Sequence, residues 1–130
     1  MAWTCAQIPP LQGRTALVTG ANSGLGLETA RALAAQGATV LLACRSRAKA
    51  EQTRAQLAAE GLAGLEPLDL NLADLASVRS AAAQVTARAN GLDLLINNAG
   101  VMAPPLQRSA QGCELQRGVN HLGQFALTQA

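Results

Sequence analysis

"RTALVTGANSGLGLETARALAAQ", residues 14–36, decides the fold. An apolar β-type run leads into helix-like spacing, and Gly20, Gly24 and Gly26 stand at the junction with small polar residues between them. Each glycine has a physical use where a strand hands over to a helix. Gly20 suits a tight turn, Gly24 lets an anion approach the main chain, and Gly26 lets the helix lie close to the sheet. The N-terminus of that helix offers free N–H groups and the positive end of a dipole, which suits a pyrophosphate. Asn22 and Ser23 add side-chain hydrogen bonds. No Lys-Ser/Thr pair follows the glycines, so a P-loop is excluded. The spacing is G-x-x-x-G-x-G rather than the commoner G-x-G-x-x-G, and by itself it also fits a glycine-rich turn that binds nothing.

Outward from this junction, strand-like and helix-like segments alternate. A helix is expected over 24–36, with Leu25, Thr29 and Leu33 on one face. "ATVLLAC" reads as a second strand, followed by a helix over 47–60 with Ser46 as N-cap. "LEPLDL" is a third strand. Asn71 is the expected cap of the next helix, which carries Leu75, Val78, Ala82 and Val85 at helical spacing. "LDLLI" is a fourth strand, and after a loop with Pro104 and Pro105 a last helix uses Leu115, Val119, Leu122 and Ala126. Near-continuous apolar strands alternating with helices indicate an α/β fold, a doubly wound parallel sheet covered on both faces. Residues 1–12 form an arm, and 13–130 form the domain.

The 130 residues carry a net charge of +2, and their cations are scattered apart from one short cluster, which argues against a nucleic-acid partner. Cys5, Cys44 and Cys113 are odd in number and show no C-x-x-C spacing. That argues against a disulfide framework or a zinc site, and a reducing cytoplasm is expected. His121 has no partner at metal-ligand spacing, and Cys44 reads as a small buried filler. No signal peptide is readable in residues 1–13, and no uncharged stretch is long and unbroken enough for a membrane span.

T-G-x-x-x-G-x-G after the first strand resembles the short-chain dehydrogenase/reductase family. Four further segments match in the expected order: "ACRS" after strand two, "LDL" at 68–70, "NNAG" at 97–100 and "VNHLGQFALT" at 119–128. "TGANSGLGLETA", "ACRS" and "ELQRGVNHLG" are most similar to its retinol-dehydrogenase-like and protochlorophyllide-reductase-like branch. The resemblance implies a Rossmann-type sheet ordered 3-2-1-4. It implies a pyrophosphate loop of Gly20, Asn22, Ser23, Gly24, Leu25 and Gly26. Asp69 with Leu70 would meet the adenine, and Asn97, Ala99 and Gly100 would brace the sheet and line the adenosine ribose. Asn120 would be the catalytic asparagine that holds a water in a proton relay. The alternative for Asp69 is a turn or capping residue, and for Asn120 an exposed helix residue.

The cluster after strand two bears on which dinucleotide binds. No Asp or Glu lies between Ala38 and Ala50 to accept a ribose 2′-hydroxyl, whereas Arg45, Arg47 and Lys49 crowd the start of a helix. Cations there are disfavoured by about 0.3–1 kcal/mol each unless an anion joins them. Arg45 is the expected partner of a 2′-phosphate, with Lys49 and largely Arg47 read as a solvated face. NADP(H) is therefore expected over NAD(H).

The resembled mechanism also uses a serine and a Tyr-x-x-x-Lys pair, the tyrosine acting as general acid/base. The sequence has no tyrosine, and its last lysine is Lys49. The expectation is the nucleotide-binding first half of an oxidoreductase acting on a carbonyl or alcohol, incomplete at its C-terminus. The alternatives are a non-catalytic nucleotide-binding module and an inactive fragment. The resemblance further implies a homo-oligomer of the complete protein.

Overall fold

The structure, a computed structural model, describes residues 2–130. Four strands form one parallel sheet: β1 (Thr15–Thr19), β2 (Thr39–Cys44), β3 (Leu65–Asp69) and β4 (Leu94–Ile96). Their order is β3-β2-β1-β4, as the resemblance implied, with Thr15 opposite Thr39 and Ala16 opposite Leu94. Helices α1 (Gly24–Ala35), α2 (Arg47–Ala59) and α3 (Leu75–Thr86) connect them. Ahead of β1, one 3-10 turn (Cys5–Gln7) lies in the arm.

Side chains alternate across a strand, so a doubly wound sheet must divide its apolar residues between two cores. Leu17, Leu41 and Ala43 join Val78, Ala81, Ala82 and Val85 on one face. Val18, Val40, Leu42 and Cys44 join Ala30, Ala34 and Leu57 on the other. All five residues of β1 are buried, as befits a strand covered on both faces. The outer strands differ. β3 carries Pro67, which an edge strand tolerates, and its Glu66 pairs with Arg88 at 2.6 Å. β4 is short, and Leu94 is exposed. The carboxylate of Asp93, just before β4, accepts from the Thr15 main-chain N–H at 2.8 Å and from Arg14 at 2.7 Å. Those two donors hold its pKa below the usual carboxylate value.

Three local expectations are corrected. The buried stripe of α1 is Gly26, Ala30 and Ala34, not Leu25, Thr29 and Leu33. The helix approaches β1 so closely that only small residues fit between them, and Leu25 is turned out, 80% exposed. Asp74, not Asn71, caps α3 by accepting from the Ala76 N–H at 2.9 Å. Asn71 closes the preceding turn through the Ala73 N–H.

The last helix is not regular. It begins as α4 (Leu115–Arg117), widens into a π turn over Gly118–Gly123, and ends as α5 (Gln124–Gln129). The π turn places Gly118, Gly123, Gln124 and Leu127 inward. Leu115, Val119, Leu122 and Ala126 are only partly buried.

Candidate functional site

The junction after β1 is built on a sharp turn. Gly20 has φ +66°, and a Cβ there would lie 3.0 Å from the Ala99 Cα. Gly26 is tighter still. Its missing Cβ would meet the Gly20 carbonyl oxygen and sit 2.5 Å from the Asn98 side-chain nitrogen. Gly24 is the opposite case, with φ +54° and open space where a Cβ would be. Main chain is thus exposed at Gly24 and pressed against the sheet at Gly26.

The N-terminus of α1 follows directly. Ser23 is its N-cap in an extended conformation, but its side chain makes no capping hydrogen bond, and the first turn has no acidic residue. In contrast, Ser46 caps α2 and Asp74 caps α3 through their side chains. An uncapped helix start leaves N–H groups and a positive dipole end available to an anion.

Thr19 organises the floor of the junction. Its hydroxyl oxygen accepts from the main-chain N–H groups of Asn98 at 3.0 Å and Ala99 at 2.9 Å. The Asn98 amide donates back to the Thr19 carbonyl at 3.0 Å. The buried Gln124 donates to the Ala99 carbonyl at 2.8 Å and to the Thr19 oxygen at 3.3 Å. Sequence reasoning missed Thr19, Asn98 and Gln124. One signal was available: a threonine inside an apolar strand is a polar group that must find partners when buried.

A cleft of about 210 Å³ opens beside the junction, walled by Gly20, Asn22, Arg45, Lys49, Leu70 and Gly100 among others. Small-molecule pockets typically enclose about 300–1,000 Å³, so a dinucleotide would fill this cleft in part and lie along the surface for the rest. Cys44 also faces the cleft, and burial pushes its thiol pKa up, partly offset by hydrogen bonds from the Ala21 and Asn22 N–H groups. That suits a space-filler rather than a nucleophile.

The expected site residues divide by position. Gly20, Asn22, Arg45, Leu70, Ala99 and Gly100 wall the cleft. Ser23, Gly24, Leu25 and Gly26 form the adjoining helix start, with Leu25 pointing to solvent. Asp69 does not wall the cleft. It lies 3.5 Å from Arg47, which also pairs with Glu51 at 3.4 Å. Asn97 turns away and donates to the Thr128 hydroxyl at 3.0 Å, while its neighbour Asn98 braces the turn. Asn120 sits in the π turn, where both ends of its carboxamide hold the Val101 main chain, accepting from N–H and donating to C=O at 2.8 Å each.

The three cations after β2 separate as well. Arg47 has carboxylate partners, whereas Arg45 and Lys49 wall the cleft and pair with no carboxylate among the described residues. Lys49, read from sequence as part of a solvated face, is exposed and lines the same cleft as Arg45. His121 stacks on Phe125 with ring centroids 6.3 Å apart. No group of three or more potential ligands fit to hold a metal occurs among the described residues, and none of their helices is long and apolar enough to cross a membrane.

Comparison with known proteins places these features in a lineage. The chain is 46% identical over 125 residues to mouse retinol dehydrogenase 11, covering 95% of this chain and 40% of that protein. It is 43% identical over 132 residues to human retinol dehydrogenase 14, covering 91% of this chain and 39% of that protein. The chain thus spans about two-fifths of the length of these curated relatives. Among solved structures, an uncharacterized protein from Mycobacterium paratuberculosis superposes with a TM-score of 0.86 at 49% identity, covering 98% of this chain and 45% of that one. A short chain dehydrogenase from Pseudomonas syringae superposes with a TM-score of 0.81 at 34% identity, covering 99% and 55%. Residues 14–130 match the short chain dehydrogenase family throughout. The chain belongs to that family, in its retinol-dehydrogenase-like branch.

Proposed function

We propose that this chain is the NADP(H)-binding portion of an oxidoreductase that interconverts a carbonyl and an alcohol. One observation carries the reading: the uncapped start of α1 follows directly on Gly20 and Asn22, which wall the same cleft as two cations without carboxylate partners. Family membership supports a nicotinamide dinucleotide, and the choice between its two forms rests on the cations. The main-chain N–H groups from Ser23 to Gly26 hold the pyrophosphate, with the Asn22 side chain and the Ser23 hydroxyl beside them. Arg45 and Lys49 take the 2′-phosphate, where the anion offsets their repulsion by the start of α2. Leu70 packs on the adenine, and Ala99 and Gly100 border its ribose. Asp69, engaged by Arg47, contributes from outside the cleft.

When bound, the nicotinamide supplies or accepts the hydride. In the complete enzyme, Asn120 supports that step by fixing Val101 at the cleft wall. The 130 residues include no tyrosine, so the family's Tyr-x-x-x-Lys acid/base pair belongs to the complete enzyme and not to these residues. The names of the retinol dehydrogenase relatives support a small-molecule alcohol or carbonyl substrate. All three cysteines are free, which supports a reducing, cytoplasmic setting. The exposed Phe125 on α5 supports a homo-oligomer of the complete enzyme through this helix.

The test is nucleotide titration of the wild-type chain and of Arg45→Ala and Lys49→Ala. A charge-assisted hydrogen bond is worth about 1.5–3 kcal/mol, so each substitution should weaken NADPH binding by about tenfold or more. NADH binding should hardly change. A wild-type preference for NADH, or full discrimination retained in the doubly substituted protein, would overturn the assignment of the 2′-phosphate.

A further inference from the structure

Three carboxamides on the last helical segment, Gln116, Asn120 and Gln124, are spaced four residues apart. Each holds main chain in the segment leaving β4, and the partners step by two residues in the opposite direction. Gln116 accepts from the Ala103 N–H at 3.1 Å. Asn120 takes both the N–H and the C=O of Val101, and Gln124 donates to the Ala99 C=O at 2.8 Å. Four residues of α-helix advance about 6 Å, and two residues of fully drawn-out chain advance about 6.6 Å. The two spacings therefore match, and a helix face replaces the neighbouring strand that this segment lacks.

The π turn fits this arrangement. Four α-helical residues overshoot one full turn by about 40°, so three side chains at that spacing drift by about 80° around the axis. The wider i→i+5 closure between Gly118 and Gly123 takes back part of that drift at the middle carboxamide. The ladder stops at Ala103, whose φ of +47° turns the chain away. Alanine disfavours that conformation, and the hydrogen bond to Gln116 holds it there.

The geometry points to Gln116 and Gln124 as positioning residues. With Asn120 between them, they hold Ala99, Gly100 and Val101 in place as one wall of the cleft. The inference rests on the nucleotide-binding function proposed above. Its structural half is read by amide hydrogen exchange and its functional half by NADPH titration of the 130-residue chain. In Gln116→Met, exchange at the Ala103 amide should quicken while the amides of β1 and β2 keep their rates. Gln124→Met removes the donor to Ala99 and should raise the Kd for NADPH by about tenfold, the upper end of what one hydrogen bond is worth. Gln124→His keeps an N–H donor at similar reach and should stay within about twofold of wild type by the same measure. If Gln124→Met fails to fold, Gln116→Met, at the rim, carries the test, with the same direction of change in Kd.

Unchanged exchange at Ala103 in Gln116→Met would overturn the ladder. So would NADPH affinity that stays at the wild-type value in every folded variant. A wild-type chain that binds neither nicotinamide nucleotide would remove the proposed function, and with it the positioning role, even where exchange shows the ladder to exist.

Discussion

Gly26→Val is expected to leave the chain unfolded, and Gly26→Ala to lower its stability by about 3 kcal/mol or more. The reason lies in what surrounds the missing side chain. A Cβ at this position meets the Gly20 carbonyl oxygen and lies 2.9 Å from the Gly20 carbonyl carbon and 2.5 Å from the Asn98 amide nitrogen. Two of those three atoms are backbone, and the third is tied to the Thr19 carbonyl. Nothing flexible is available to move aside, so α1 would have to lift from β1. Lifting it opens the contacts of Ala30 and Ala34 with Val18, Val40 and Leu42. A domain of this size has only about 5–15 kcal/mol in total, and overpacking of this kind consumes a large share. Urea denaturation followed by circular dichroism measures the effect. A Gly26→Ala midpoint equal to that of wild type would mean that α1 does not approach β1 as described.

Thr19→Val is expected to cost about 1–3 kcal/mol while keeping the volume of the side chain. The hydroxyl is fully buried and receives the main-chain N–H groups of Asn98 and Ala99. Valine fills the same space but leaves the Ala99 N–H without a partner, at about 1–3 kcal/mol, whereas the Asn98 N–H keeps the Ile96 carbonyl at 3.0 Å. The wall of the cleft begins at Ala99, so NADPH affinity should fall together with stability. Thr19→Ser keeps the oxygen and loses one methyl group, a difference of about 1 kcal/mol. The pair of variants therefore separates polarity from packing. Thr19→Val as stable as wild type, or Thr19→Ser as damaged as Thr19→Val, would contradict the role given to the hydroxyl.

The alternation of elements was legible because four apolar runs are punctuated by glycines and helical spacing. The order of the strands came from the resemblance, since periodicity alone does not say which strand neighbours which. Faces were harder to read. Apolar spacing favoured Leu25 and Leu33 on α1, but close approach at Gly26 selects the smallest residues, and the stripe shifts by one position. Asn71 and Asp74 both have capping side chains three residues apart, and only the path of the turn decides between them. Asn97 and Asn98 are chemically identical neighbours. Alternation at the end of β4 sends one toward Thr128 and the other under the Gly20 turn.

At the site, the sequence named the glycine turn and Arg45, but it set Lys49 aside. Arg45 precedes the Ser46 cap and Lys49 lies in the first turn of α2, so both flank one helix start, and that shared position was the signal for grouping them. The π turn has no composition of its own. Its trace in the sequence is the row of carboxamides at 116, 120 and 124, whose purpose appears only once the segment after β4 lies against them.

The central claim is that the uncapped start of α1 grips a nucleotide phosphate through its main chain. Titration of 15N-labelled protein with NADPH, followed amide by amide, tests it most directly. Saturable shifts are expected, concentrated at Asn22–Gly26, with smaller ones at Gly100 and Val101. Saturable binding that leaves the amides of residues 22–26 unmoved would contradict it.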